Sequence, residues 1–323
     1  MAAGRITRRA AFALGLAPAA ARAQGFPDRP VRLVVPFPPG GPVDTAARIL
    51  AQAMGPLLGQ PMVVENRSGA GGSVGIDAVA KSAPDGLTLA LGSTGAVAVN
   101  VTLMPSLPYD PRRDLAPVGM VIGVPSLLVV RPGLAVGDFG ELLAMARRQP
   151  GRLTFGSTGP GGTPHLAAEL LKLRAGLDIT HVAYRGAAPT VTALLTEEVD
   201  MAFLDLPVLL PHVREGKFRA LGLAAAARAP VLPEVPTMAE AGQPGLEVEN
   251  WYALIAPARV PPERIAALSR ALQATLAQPE TAERYEASGA RIIGGTPEEA
   301  ARFIAAETER WGEVVRRADI RPD

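Results

Sequence analysis

The stretch Leu153-Thr154-Phe155-Gly156-Ser157-Thr158-Gly159 closely resembles Leu89-Ala90-Leu91-Gly92-Ser93-Thr94-Gly95, which lies 64 residues earlier in the chain. Each is a short apolar run that ends in Gly-Ser-Thr-Gly, and the run Val31 to Val35 ends similarly in the loop Phe37-Pro38-Pro39-Gly40-Gly41. Short apolar runs bounded by turn residues are typical of buried strands. Open α/β sheets bind ligands at the carboxyl ends of their strands. The three loops therefore predict a ligand site built from both halves of the chain.

Strand-like and helix-like segments alternate along the chain, as the first three show. The apolar run Val31 to Pro36 is followed by Asp44 to Leu58, where apolar residues recur at helical spacing, and then by the strand-like Met62 to Glu65. Such alternation is typical of βαβ units and a largely parallel sheet. The length of 323 residues fits two domains rather than one. We therefore predict an α/β protein with two lobes.

Two apolar segments are candidates for the connections between these lobes. Val118 to Val130 is long for a strand and is broken at Gly123-Val124-Pro125, and Arg219 to Ala224 is the expected return crossing. The middle third of the chain is then inserted between two parts of one lobe. We predict that lobe 1 consists of residues 26–124 and 226–323, and that lobe 2 consists of residues 125–225.

Residues 1–23 have the features of a signal peptide. Arg5, Arg8 and Arg9 precede a short apolar segment, and Ala21-Arg22-Ala23 matches a cleavage site. We predict export to the periplasm, by the Sec route or, given the Arg8-Arg9 pair, by the twin-arginine route. No later run of about 20 apolar residues occurs, so direct membrane insertion is not expected.

Composition and charge exclude several classes of function. The chain has no cysteine, so thiolate metal sites, disulfides and cysteine nucleophiles are excluded. Without residues 1–23 it carries 28 basic and 31 acidic residues, a net charge of −3. The sequence has no basic patch with interleaved aromatic residues, so we do not expect nucleic-acid binding. No Walker loop or metalloprotease motif occurs, and we expect neither a cofactor nor a metal.

Several glycine-rich loops precede predicted helices and would bind an anion through free backbone N–H groups. They are Gly40-Gly41, the segment Gly159 to Pro164 and Gly186-Ala187. Hydroxyl donors accompany them: Ser93, Thr94, Ser157, Thr158 and Thr163. Two acidic residues remain ambiguous from sequence. Asp44 either stabilises the first turn of a helix or fixes the Gly40-Gly41 loop, and Asp205 either faces a ligand or caps the next helix.

A catalytic arrangement is harder to find. A nucleophile elbow around Ser157 requires glycine at position 155, where this chain has Phe155. His165 is expected to be a helix-start or core histidine, and His181 and His212 are distant in sequence. We therefore expect no enzyme activity, with an exported hydrolase that uses Ser157 as the alternative.

The order of several motifs resembles the solute receptors of tripartite tricarboxylate transporters, known as the Bug family. The resemblance covers essentially the whole chain after residue 23. The motifs are Arg29 to Phe37 with Gly40-Gly41 and Asp44; Glu65-Asn66-Arg67 with Gly69 to Gly72 and Asp85-Gly86; Tyr109-Asp110-Pro111 with Asp114; Gly156-Ser157, Gly159, Gly162, His165-Leu166-Ala167 and Glu169; Tyr184-Arg185-Gly186; and Pro233 to Thr237, Glu240-Ala241-Gly242 and Trp251-Tyr252.

The resemblance implies a type II periplasmic binding fold, in which two lobes joined by two crossover strands close on a ligand. It also implies a monomeric receptor that passes a small organic carboxylate to membrane transporter subunits, with a sensor for a membrane signalling partner as a further alternative. The implied contacts are the loops from Phe37 to Gly41, at Ser93-Thr94, from Ser157 to Thr163 and at Gly186-Ala187. Where relatives often carry Asp-Asn, this chain has Leu204-Asp205. This departure predicts a monocarboxylate or an amine-bearing acid rather than citrate.

Overall fold

A computed structural model describes residues 25–322 of the chain. The predicted signal peptide and its cleavage site lie outside the described residues. Within residues 25–322, no helix combines the length and the apolar character needed to cross a bilayer.

Ten strands and eleven α-helices alternate over this range. The strands are β1 (Val31–Val35), β2 (Met62–Asn66), β3 (Thr88–Ser93), β4 (Leu115–Val130), β5 (Thr154–Ser157), β6 (Thr180–Ala183), β7 (Met201–Asp205), β8 (Arg219–Ala224), β9 (Glu249–Pro257) and β10 (Arg291–Ile292). The helices are α1 (Pro42–Leu58), α2 (Ser73–Ala80), α3 (Asn100–Leu103), α4 (Pro111–Asp114), α5 (Phe139–Arg148), α6 (Thr163–Ala175), α7 (Ala187–Leu195), α8 (Leu206–Arg214), α9 (Pro262–Leu276), α10 (Pro279–Ala287) and α11 (Pro297–Arg317).

The strands form two sheets that share β4. In the first sheet the order is β2-β1-β3-β9-β4-β10, with β1, β2 and β3 parallel and β9 antiparallel to both β3 and β4. In the second sheet β5 is parallel to β6 and β7, and β4 is antiparallel to β7 and β8. Parallel neighbours are joined by helices, as the alternation in the sequence predicted. The carboxyl ends of β5, β6 and β7 therefore share one edge of the second sheet.

Strand β4 passes from one sheet to the other at Pro125 and Ser126. Pro125 is paired with Glu249 of β9, whereas Ser126 is paired with Ala224 of β8 and with Asp205 of β7. The sequence analysis assigned the return crossing to Arg219 to Ala224. That assignment is wrong, because β8 pairs only with the Ser126 to Val130 part of β4. The chain instead returns through residues 225–248 and enters the first sheet as β9.

The last helix, α11, packs against both sheets. Its first half, with Ala300 and Ile304, joins a core with Ile255 of β9, whereas Trp311 joins a core with Phe155 of β5. The two cores are linked through Glu307, whose Oε2 accepts hydrogen bonds from the indole Nε1 of Trp251 at 3.0 Å and of Trp311 at 2.8 Å. Helix α11 thus connects the two sheets. The lobe boundaries 26–124, 125–225 and 226–323 stay a prediction.

Helix termini follow local sequence. In α1, Pro42 occupies the first turn, where its missing N–H costs nothing, and Gly59 ends the helix in the left-handed conformation. In α11, Thr296 and Glu299 form a reciprocal capping box. Helix α7 begins at Ala187, directly after its N-cap residue Gly186. Proline is tolerated in a first helical turn, so Pro189 does not delay the helix.

Candidate functional site

Three helices begin beside the predicted loops with a glycine N-cap. Gly41 precedes α1, Gly162 precedes α6 and Gly186 precedes α7, and none of these helices has a side-chain cap. Asp110, Asp138 and Thr296 cap α4, α5 and α11 with their side chains, whereas α2, which follows Gly72, and α8, α9 and α10 also have no side-chain cap. The first N–H groups of a helix have no intrahelical acceptor. Helices α1, α6 and α7 therefore present unpaired donors and positive dipole ends, which favour an anion.

Asp44 fixes the loop that follows β1. Its carboxylate accepts hydrogen bonds from the Gly40 N–H at 2.9 Å, from Asn66 Nδ2 at 2.9 Å and from the Arg48 guanidinium at 2.9 and 3.1 Å. Asn66 Nδ2 also donates to the Phe37 carbonyl at 3.1 Å. Burial alone would raise the pKa of Asp44, but the hydrogen bonds from Arg48, Gly40 and Asn66 lower it to about 2. The structure thus shows that Asp44 organises the loop and uses the Gly40 N–H itself.

The loop after β3 is joined to β9 by Thr94. The fully buried Oγ1 of Thr94 accepts a hydrogen bond from the Trp251 N–H at 2.9 Å. Ser93 is also buried, and its Oγ accepts from the Ala96 N–H at 3.5 Å. Because Ser93 and Tyr252 are paired in register, this loop lies beside the start of β9. Both hydroxyls therefore have structural partners at a strand end.

Ser157 connects the loops that follow β5 and β6. Its carbonyl accepts hydrogen bonds from the Tyr184 N–H at 3.0 Å and from Thr190 Oγ1 at 3.1 Å, and Thr190 Oγ1 also donates to the Gly186 carbonyl at 2.9 Å. The Ser157 Oγ accepts from the Gly159 N–H at 3.2 Å. The Gly162 N–H donates to the Gly159 carbonyl at 3.3 Å. The two glycine loops of the second sheet are thus adjacent.

His165 and His181 pack beneath this loop, and the sequence did not indicate that His181 adjoins the site. His165 Nδ1 accepts from the Gly161 N–H at 3.1 Å, and its ring stacks on His181 with centroids 3.9 Å apart. His181 Nε2 lies 2.7 Å from Ser157 Oγ, so it adjoins the site despite its distance in sequence. Burial raises the pKa of the Glu169 carboxyl, yet hydrogen bonds from His165 and Lys172 lower it overall. The expected helix-start role of His165 agrees with these contacts.

Asp205 ends β7 and contacts the first sheet. Its Oδ2 accepts a hydrogen bond from Asn250 Nδ2 at 3.1 Å, and Asn250 Nδ2 also lies 3.4 Å from the hydroxyl of Tyr252, the residue paired with Ser93. Burial raises the pKa of Asp205 to about 6, although Asn250 lowers it in part. Asp205 is the N-cap residue of α8, but its side chain makes no capping hydrogen bond there. Of the two roles that the sequence left open, capping is therefore excluded.

The predicted residues fall into two groups, one on each sheet, and the hydrogen bond from Asn250 to Asp205 joins the two sheets. Phe37 is half-buried, whereas Pro38, Pro39 and Gly40 are exposed. Asn66, Asn250, Tyr252, Ser126 and His181 adjoin the site and were not predicted. Asn250 and Ser126 are polar residues in strands that are otherwise mostly apolar. This pattern is the sequence feature that could have identified them as site residues. Within residues 25–322 no group of three or more His, Asp or Glu side chains is arranged to hold a metal ion.

One surface depression lies away from these residues. It has a volume of about 740 Å³ and is lined by residues of α1 and β2, including Arg48, Gly55 and Val63. None of the glycine-capped helix N-termini opens into it. Its size alone therefore does not indicate a site for a small anion.

Comparisons with known proteins agree with this geometry. Residues 46–320 match the model of the tripartite tricarboxylate transporter family receptor. Protein BugT of Bordetella pertussis is 42% identical over 295 residues, which cover 91% of this chain and 90% of BugT.

Three solved structures share the whole fold. Rpa4515 of R. palustris with adipate is 36% identical, with a TM-score of 0.84, and covers 92% of this chain and 100% of its own. MatC of Rhodopseudomonas palustris with bound malate is 36% identical, with a TM-score of 0.79 and coverages of 90% and 100%. The periplasmic binding protein BugD is 32% identical, with a TM-score of 0.80 and coverages of 92% and 100%.

These similarities confirm the predicted α/β periplasmic binding fold with two lobes. The family match extends over most of the chain and includes every strand except β1, together with the glycine-capped helices α6 and α7. The chain belongs to the tripartite tricarboxylate transporter receptor family, whose Bug members it resembles in sequence and in structure.

Proposed function

We propose that this protein is a periplasmic receptor that captures a small organic carboxylate between its two lobes and delivers it to a tripartite tricarboxylate-type membrane transporter. The observation that carries the proposal is the set of glycine N-caps at Gly41, Gly162 and Gly186, which leave helix N–H groups without side-chain partners. Related structures that contain adipate and malate support a carboxylate as the bound anion.

In the proposed mechanism, the ligand carboxylate binds to helix N–H groups and loop hydroxyls of both lobes. The residues proposed to form or shape this site are Phe37, Pro38, Pro39, Gly40, Gly41, Asp44, Ser93, Thr94, Ser157, Thr158, Gly159, Gly162, Thr163, Gly186, Ala187 and Asp205. Because Asp44 uses the Gly40 N–H, its role is to shape the first loop rather than to touch the anion. A ligand that contacts both lobes binds the closed form more tightly and shifts the population toward it.

Within residues 25–322, β4, β9 with its preceding segment, and α11 connect the two sheets in this scheme. Rotation about Pro125 and Ser126 would separate the lobes while each sheet stays intact. The protein is proposed to act as an exported monomer whose membrane partners recognise the closed form. Export by the Sec or the twin-arginine route follows from residues 1–23.

Ligand binding tests the proposal directly. The chain from residue 24 onward would be purified, stripped of bound ligand by reversible unfolding, and titrated calorimetrically with mono-, di- and tricarboxylates. We expect at least one carboxylate to bind with a micromolar or lower Kd and to reduce the radius of gyration in solution scattering. Absence of binding by every carboxylate of the panel would contradict the proposal.

Delivery requires a cellular test. Deletion of the gene should abolish uptake of the identified ligand, and a plasmid copy should restore it. If uptake persists in the deletion strain while a ligand-dependent transcriptional response is lost, the sensor alternative replaces transport.

One contact favours the hydrolase alternative, because Ser157 Oγ and His181 Nε2 are 2.7 Å apart. Phe155 stands where a nucleophile elbow around Ser157 would need glycine, so the sequence does not fit the strained turn that exposes a catalytic serine. Turnover of ester probes that is lost in Ser157→Ala would support the hydrolase, and no turnover is expected.

A further inference from the structure

Two buried polar atoms lie side by side where the sheets meet. Ser126 of β4 and Asp205 of β7 are directly opposed in an antiparallel pair, so their side chains lie on the same face. Ser126 is 0% exposed and Asp205 is 8% exposed. Ser126 Oγ and Asp205 Oδ1 both lack a hydrogen-bond partner within the described part of the protein. Buried polar groups are almost always hydrogen-bonded, so this pair is a candidate acceptor site for a donor group of a bound molecule.

The surroundings of Asp205 contain no compensating cation. Its Oδ2 accepts one hydrogen bond, from the neutral amide of Asn250, and the adjacent Tyr252 is also uncharged. Among residues 25–322, no Lys, Arg or His forms an ion pair with Asp205. A buried carboxylate without a cationic partner is unfavourable. With a pKa of about 6, this carboxyl group is mostly ionised at neutral pH.

The position of this cluster connects it to the ligand cleft. Strands β5 and β7 are parallel, so Asp205 at the carboxyl end of β7 lies at the same edge as Ser157 at the end of β5. Asn250 is partly exposed, which shows that the cluster reaches the surface on that side. Open α/β sheets bind their ligands at this edge. Opening of the two lobes would give a bound molecule access to the unpartnered atoms.

The chemistry of the cluster selects among ligand groups. A second ligand carboxylate beside Asp205 would place two like charges in a buried site, which is unfavourable. A protonated amine would instead donate hydrogen bonds to Asp205 Oδ1 and Ser126 Oγ and supply the missing positive charge. A hydroxyl group would supply a donor without the charge.

We propose that Ser126, Asp205 and Asn250 form a subsite for a protonated amino group, so that the preferred ligand is an amine-bearing carboxylate rather than a dicarboxylate. This inference rests on the proposed function and narrows its ligand class. It chooses between the monocarboxylate and the amine-bearing acid that the sequence left open. It also separates this chain from the relatives that contain adipate and malate, which are dicarboxylates.

The test is calorimetric titration at pH 7.5 with acids of three to six carbons that share one carboxylate and differ elsewhere. The probes are α- and ω-amino acids, hydroxy acids, unsubstituted monoacids and diacids. We expect the tightest amino acid to bind at least ten-fold more tightly than the diacid of the same length. Asp205→Asn should weaken amino-acid binding at least ten-fold and change monoacid binding less than two-fold. Ser126→Ala should weaken amino-acid binding several-fold.

Asp28→Asn is the matched control, since it removes the same charge at an exposed position and should change none of these affinities. Circular dichroism and thermal unfolding of each variant establish that it is folded. The inference is overturned if diacids bind wild type as tightly as amino acids, or if Asp205→Asn leaves their affinity ratio unchanged. In those outcomes the carboxylate receptor still stands, whereas failure of every carboxylate, monoacids included, would remove the proposed function itself.

Discussion

The hydroxyl of Thr94 holds the backbone of Trp251 across the first sheet, with 2.9 Å between Oγ1 and the amide nitrogen. Thr94 follows β3, whereas Trp251 lies in β9, which continues along β4. This contact therefore joins a predicted ligand loop to a strand that connects the lobes.

Replacement of Thr94 tests this connection. Thr94→Val keeps the shape but leaves the buried Trp251 N–H unpaired, so we expect a loss of about 1–3 kcal/mol in the free energy of unfolding. Thr94→Ser keeps the hydroxyl and should lose less than half as much. Urea denaturation of both variants gives the comparison. Equal losses would show that the methyl group, rather than the hydrogen bond, matters at this position.

Removal of the Asp44 carboxylate should destabilise the first loop. At pH 7, Asp44→Ala leaves the Gly40 N–H and Asn66 without their acceptor, and we expect a loss on the order of 2 kcal/mol. The pKa of Asp44 is lowered to about 2 in the folded state, so its stabilisation is fully present above about pH 4 and disappears as the pH falls through 2. Chemical denaturation at pH 7 and pH 3 should therefore show a smaller difference between variant and wild type at pH 3. A difference that does not depend on pH would contradict this account.

The ionised carboxylate of Asp205 should lower the free energy of unfolding, whereas that of Asp44 raises it. Its pKa is raised from 3.8 to about 6, so the folded state binds the proton more tightly than the unfolded state. Stability is therefore lost as the pH rises from about 4 to 6, by an amount on the order of 3 kcal/mol. Unliganded Asp205→Asn should be more stable than wild type at pH 7.5 and close to wild type at pH 4. Parallel urea titrations at the two pH values measure this, and wild type that is the more stable at pH 7.5 would refute it.

Gly75 determines how closely α2 approaches β1. A methyl group there would lie 2.8 Å from the Arg67 carbonyl oxygen and 2.8 Å from Pro36 Cα, and neither backbone atom can move easily. We expect Gly75→Ala to lose about 1–3 kcal/mol in the free energy of unfolding and to weaken ligand binding, because Pro36 leads into the Phe37 loop. Gly95→Ala is the control, since nothing lies within 4 Å of the added methyl group. Thermal unfolding should be unchanged or slightly raised in the control, and equal effects of both substitutions would count against the steric explanation.

The sequence allowed the alternation of strands and helices, the loops at strand ends and the family to be predicted, because each depends on local patterns. The run Val118 to Val130 was correctly expected to cross between lobes, since its length and apolar character are visible in the sequence. The true return path was not predictable. Strand β8 has the same apolar character as β9, and only its pairing with Ser126 to Val130 shows that it stays in the second sheet.

The partners of the site residues also depend on tertiary structure. His181 is 24 residues from Ser157 in sequence, yet the parallel pairing of β5 and β6 places the two side chains in contact. Asp205 is directly opposite Ser126 only because β4 runs antiparallel to β7. Such register cannot be read from one strand alone. The ligand contacts and the lobe boundaries remain predictions of the sequence.

The hydrogen bonds that Glu307 accepts from two tryptophans bear on the intrinsic fluorescence of this protein. The chain contains two tryptophans, and both indole N–H groups donate to the same carboxylate oxygen, one from a strand of the first sheet and the other from the core of the second. Glu307 and Trp311 lie on the same helix, so a movement of the first sheet relative to α11 would act on the hydrogen bond from Trp251. We expect the indole fluorescence of the unlabelled protein to follow such a movement, and a quenching or spectral shift would report each titration without an added dye.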